Sequence, residues 1–135
     1  DKMSMAALAA TVLHYIKGEA LEKVPIWRMI AMPESEAATI AERWQAKIGG
    51  AASVESTMST IGGGSLPGET IDSWALAIDC RNRPGGADAL AKALRDGDTP
   101  VIGRIEDERV LLDPRTVLPG EEDRLLSAVT DALMR

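Results

Sequence analysis

The sequence predicts an α+β fold: a four-stranded, mainly antiparallel sheet with helices packed on one face, preceded by a further helix. Three observations carry this. Apolar residues recur at helical spacing in four stretches. They alternate at strand spacing in two others and form short apolar runs in two more. The strands fall into two hairpin-like pairs with no helix inside either pair, the pattern of antiparallel pairing rather than of parallel crossovers.

In chain order, Met5, Leu8, Val12 and Ile16 mark the first helix, and Gly18 stops it. In the stretch Glu19 to Ile30, Pro25 starts a turn or a short helix. Pro33 opens the second long helix, with Glu34 and Glu36 suited to its positive end. Ala37, Ile40, Ala41, Trp44 and Ile48 form its apolar stripe, and Gly49-Gly50 ends it. Ala52 to Ile61 reads as a strand. The run Gly62 to Gly68 breaks it, and a second strand covers Trp74 to Asp79. Ala87 to Arg95 is helical, with Leu90, Ala91 and Leu94 inward and Gly97 as its stop. Val101 to Ile105 and Arg109 to Leu112 are the second strand pair, joined by the polar tip Glu106-Asp107-Glu108. Glu121, Glu122 and Asp123 open a last helix whose buried face is Leu125, Leu126, Val129 and Leu133.

Composition excludes several functions. The 135 residues carry a net charge of −6, the wrong sign for a domain that grips nucleic acid alone, so strong binding to RNA by this chain is not expected. One His and one Cys leave no zinc pattern, and no metal site is expected. No apolar run approaches the roughly 20 residues of a membrane span. There is no phenylalanine, so Leu, Ile, Val, Met, Ala and Trp must fill the core; Trp27, Trp44 and Trp74 are all expected there. His14 reads as a boundary or surface residue and Cys80 as a small apolar one.

Few residues suggest chemistry. The glycine run before Ser65 lacks both the nucleophile elbow and the P-loop pattern, although successive backbone N–H groups there could cradle an anion. Arg104 interrupts an apolar run. Charge in such a place is either an edge-strand arginine in a surface ion pair or an anion clamp facing a cleft. Arg115, after Leu112-Asp113-Pro114, carries the same two readings.

Four blocks resemble a known family. They are Asp1-Lys2-Met3 with Ala6-Ala7-Leu8 and Ala10-Thr11; Val24-Pro25-Ile26-Trp27-Arg28-Met29-Ile30; Ile61-Gly62-Gly63-Gly64-Ser65-Leu66-Pro67-Gly68-Glu69; and Pro100 to Asp107 with Leu111 to Val117. In that order, along nearly the whole chain, they resemble the C-terminal part of the bacterial selenocysteine synthases. The resemblance implies the small domain of a type I pyridoxal-phosphate enzyme. Residues 1–32 would be a connecting helix and turn from a large domain, and 33–135 the α+β small domain. It implies a cytoplasmic homo-oligomer of dimers that converts seryl-tRNA(Sec) to selenocysteinyl-tRNA(Sec) with selenophosphate. Pyridoxal 5′-phosphate would be the electron sink, bound by the large domain, with no catalytic residue in this segment. Arg104, Arg115, Gly63, Gly64 and Ser65 become the expected substrate-binding residues. A related pyridoxal-phosphate lyase of amino acids or amino-sugar acids, or a non-catalytic oligomerisation module, would give a similar sequence.

Overall fold

A computed structural model describes residues 1–50, 52–62 and 68–135. Two compact units are present, Asp1–Met32 and Pro33–Arg135.

The first unit is helical. Helix α1 spans Lys2–Ile16, and the Asp1 carboxylate caps it by accepting the Ser4 N–H at 2.8 Å. Gly18, at φ 72°, turns the chain out of it. Short helices α2 (Ala20–Lys23) and α3 (Pro25–Ala31) follow, with Pro25 at the first turn of α3. Helix α1 buries none of its residues. Of the fifteen large apolar side chains that stand exposed among the described residues, ten lie in this unit, from Met3 to Trp27. Trp27 is thus not a core residue of this chain: it is 38% exposed and donates its indole N–H to the Tyr15 hydroxyl.

The second unit holds the sheet. Helix α4 (Glu34–Ile48) leads to strands β1 (Ala52–Thr60) and β2 (Thr70–Asp79), helix α5 (Gly86–Arg95), strands β3 (Arg104–Glu106) and β4 (Arg109–Leu112), and helix α6 (Glu122–Leu133). The strand order is β1-β2-β4-β3, and every pairing is antiparallel. This is the expected fold class.

The core lies on one face of the sheet. Leu76, Ile78, Val110 and Leu112 pack there against Trp44 of α4, Leu90 and Leu94 of α5, and Leu126 and Val129 of α6. Trp44 is 1% exposed. The expected stripe of α4 is seen, with Ala37, Ala41 and Trp44 buried and Ile40 and Ile48 partly so. In α6 the fully buried set is Leu126, Val129 and Ala132, while Leu125 and Leu133 pack at its margin. Trp74 is half-buried and donates to Glu34 at 2.8 Å. Arg43 forks onto Glu122 (Nε to Oε1 2.9 Å), tying α4 to α6; that fork holds the Glu122 carboxyl below its usual range. Arg83 caps the C-terminal end of α6, donating to the Ala132 carbonyl at 2.7 Å and the Leu133 carbonyl at 3.2 Å.

Two strands differ from expectation. Strand β2 begins at Thr70, earlier than its apolar alternation suggests, because Thr70–Ser73 continue the ladder to β1 as a two-stranded ribbon. Strand β3 begins at Arg104 rather than Val101. The Val101 N–H goes instead to the Leu94 carbonyl at the end of α5 (2.9 Å), so Val101 is buried as a helix cover and not as a ladder residue. The β3–β4 tip is as expected: Asp107 and Glu108, at φ 48° and 59°, form a two-residue turn between the paired Glu106 and Arg109.

Candidate functional site: the open face of the sheet

The period of two in a strand sends alternate residues to opposite faces. Since Leu76 and Ile78 face the helices, the register places Ser53, Glu55 and Thr57 of β1, Ala75 and Ala77 of β2, Leu111 and Arg109 of β4, and Arg104 and Glu106 of β3 on the other face. Among the described residues of this unit, Ala75, Ala77 and Leu111 are buried on it as a small cluster of their own, apart from the core against α4, α5 and α6.

Two arginines cross the same face. The Arg104 Nη1 donates to the Met58 carbonyl at 3.0 Å, and Nη2 donates to the Thr57 hydroxyl. The same Nη2 meets Glu106 at 3.2 Å. The Arg109 Nη1 pairs with Glu55, and its Nη2 lies 3.4 Å from Asp107. Both side chains thus reach from β3 or β4 to β1. In a flat sheet β3 and β1 would be roughly 14 Å apart, three strand spacings, which is beyond an arginine's span. The sheet therefore curls over this face, and a trough of about 500 Å³ opens between its edges. Its lining comes from β1, β3 and β4.

Gly103 sets the entry of β3. A Cβ there would stand 2.6 Å from the Val110 side chain and 3.2 Å from the Leu111 carbonyl. Only glycine lets the chain approach β4 this closely immediately before Arg104. Gly103→Ala should push β3 off β4 and cost about 1–3 kcal/mol, read as a fall in melting temperature. An unchanged melting temperature would show that the contact relaxes at no cost.

The two arginines named from the sequence have different surroundings. The Arg104 side chain is 47% exposed, on the face away from the helices, and its carboxylate partner is Glu106. Arg115 is 4% exposed. Its Nε donates to the Ser73 hydroxyl at 3.0 Å and its Nη2 to the Asp72 carbonyl at 2.6 Å. Asp113 supports the same corner, accepting from Ser73 (3.1 Å), from Ser59 and from the Arg115 backbone N–H (2.9 Å). The described part of the β1–β2 ribbon is therefore braced where β4 no longer reaches it. Gly63, Gly64 and Ser65 lie outside the described residues. Sequence reasoning missed Thr57, Glu55, Glu106 and Arg109; the alternation on β1 puts Glu55 and Thr57 on one face but does not single them out.

A second cleft, of about 880 Å³, lies beside the β3–β4 tip and contains Asp79 and Arg81. The Arg81 guanidinium and backbone N–H hold the Asp79 carboxyl down at about 2, so this pair stays charged through the neutral range.

No lysine is placed for covalent cofactor chemistry, which needs a desolvated amine. Lys2, Lys17 and Lys23 are exposed; Lys47 meets Asp123 at 3.3 Å on the surface, and Lys92 pairs with Asp96 there. Among the described residues no group of His, Cys, Asp or Glu is arranged to hold a metal, and no helix is long and apolar enough to cross a membrane.

Comparison with known proteins gives a consistent result. The family model described as L-seryl-tRNA selenium transferase matches residues 1–118. An L-seryl-tRNA(Sec) selenium transferase of Moorella thermoacetica is 40% identical over 98% of this chain, and one of Hyphomonas neptunium is 34% identical over all of it. One of Klebsiella pneumoniae is 42% identical over 85%. The matched segment spans 29%, 30% and 26% of those relatives' own lengths. With a family match over most of its residues and relatives this similar from end to end, the chain belongs to the L-seryl-tRNA selenium transferase family.

Proposed function

We propose that this chain is the small domain of an enzyme that converts seryl-tRNA(Sec) to selenocysteinyl-tRNA(Sec) with selenophosphate, working in the bacterial cytoplasm as a homo-oligomer of dimers. Residues 33–135 are the small domain, and residues 1–32 connect it to a large one. The observation that carries this reading is the 40% identity to a selenium transferase over 98% of the chain.

Pyridoxal 5′-phosphate is the cofactor in this reading, supplying an electron sink at the seryl α-carbon. The residues present do not fit it, because every lysine here is exposed or ion-paired at the surface. It belongs to the part of the relatives' length that this chain does not span. What these residues contribute is binding. Arg104 offers a half-exposed guanidinium at the mouth of a trough and takes an anionic group of the substrate. Arg115 acts on that site from within the fold, by bracing β2. Gly63, Gly64 and Ser65 are assigned to substrate binding on sequence grounds alone.

The test is turnover by a longer protein carrying this segment. Given seryl-tRNA(Sec) and selenophosphate, it should form selenocysteinyl-tRNA(Sec). The 135-residue chain alone should form none, and should show no absorbance band near ~420 nm that borohydride fixes onto a lysine. Turnover of free amino acids, with seryl-tRNA(Sec) left intact, would favour a related lyase instead.

A further inference from the structure

Arg104 and Arg109 occupy the same face but are held differently. The Arg109–Glu55 pair is the more buried, at 28% and 32% side-chain exposure, and it crosses from β4 to β1 as a fixed strut. The Arg104–Glu106 pair is 47% and 53% exposed and links residues two apart on one short edge strand. A half-exposed pair of this kind contributes little, because solvent screens it. The other Arg104 contacts, to the Thr57 hydroxyl and the Met58 carbonyl, come from neutral groups that fix its position without cancelling its charge. These contacts use one Nη1 hydrogen and the Nη2 group, leaving Nε–H and a second Nη1 hydrogen as donors. The trough beside them is lined by Glu55, Thr57, Arg104, Glu106, Arg109 and Leu111.

We infer that this trough binds a tetrahedral phosphate-type oxyanion, which takes the Arg104 guanidinium by displacing Glu106. The inference rests on the reading of Arg104 as an anion-binding residue and adds to it a ligand class and an internal competitor. Glu106 is the positioning residue. With the trough empty it neutralises Arg104, and on binding it swings toward solvent, which its exposure permits. A fork of two N–H donors onto two phosphate oxygens is stronger and more directional than the single 3.2 Å contact it replaces. Thr57 fixes the guanidinium while the exchange occurs.

Such an anion arrives either free, as a phosphate-like small molecule, or as a phosphodiester of RNA, and the test separates the two. The 135-residue chain is titrated with inorganic phosphate at constant ionic strength, in parallel with an RNA oligonucleotide that lacks terminal phosphates. Binding is followed by amide chemical shifts, and folding of each variant by its melting curve. Arg104→Ala should weaken phosphate binding at least ~10-fold, with Arg104→Lys only partly restoring it. Glu106→Gln should tighten binding ~3–10-fold by removing the competitor, while Glu108→Gln, an equal change of net charge at the hairpin tip, should do much less. Shifts from phosphate alone would identify a free anion; shifts from both ligands would identify an RNA phosphodiester. Phosphate affinity that ignores Arg104, or that responds equally to Glu106→Gln and Glu108→Gln, would overturn the inference. No turnover enters this measurement, so its failure would leave the transferase reading to its own assay.

Discussion

Arg115→Ala should unfold the sheet unit well below the wild-type melting temperature. The side chain is 4% exposed, and its removal strips donors from the Ser73 hydroxyl and from the Asp72 carbonyl in a corner that β4 does not reach. Acceptors left without donors in a buried place cost about 1–3 kcal/mol each, so the loss is about 3 kcal/mol in all. For a domain near 100 residues each kcal/mol shifts the midpoint by roughly 4–8 °C, and the expected fall exceeds ~10 °C. Lysine should recover only part of it, since an ammonium cannot address both acceptors with a planar fork. Arg104→Ala is the contrast. Its half-exposed side chain braces nothing buried, and its melting point should stay within ~3 °C of wild type. Equal melting points for Arg115→Ala and wild type would remove the bracing role.

Trp44→Ala should be the most damaging single change in the helix layer. Trp44 is 1% exposed at the centre of the core that joins α4, α5 and α6 to the sheet. Emptying a site of that size costs about 3–5 kcal/mol, part transfer and part residual cavity. Urea unfolding followed by circular dichroism should show a much lower midpoint with the slope unchanged. Trp44→Phe should lose far less, because most of the volume remains. A midpoint shift equal to that of Trp27→Ala, whose side chain is 38% exposed, would mean that Trp44 is not the core's centre.

These two tryptophans also show where sequence patterning reaches and where it stops. Both sit in apolar surroundings along the chain, and only one is buried. Period and caps make α4, α5 and α6 legible, since each has a clear inner stripe and glycine or acidic punctuation. They find α1 too, through the spacing of Met5, Leu8, Val12 and Ile16 and the stop at Gly18, but the stripe so marked is exposed in this chain. The run Val101–Ile105 reads as a strand because it is apolar, but much of its apolarity serves the end of α5. The first residues of β2 read as a loop because their sheet neighbour is replaced by the side chain of Arg115, more than forty positions away. No local pattern records such a partner. Arg104 was legible for the opposite reason, as a charge set against its neighbours. Its companions Thr57 and Glu106 look like ordinary polar residues until the curl of the sheet brings β1 toward β3.

That curl has an evolutionary consequence. Ala75 and Ala77 are buried on this face beside Leu111, apart from the helix-covered core. Any alanine codon becomes a valine or threonine codon by one base change. A lineage can therefore change the bulk of this face in a single step, on a side of the sheet whose side chains take no part in the helix-covered core.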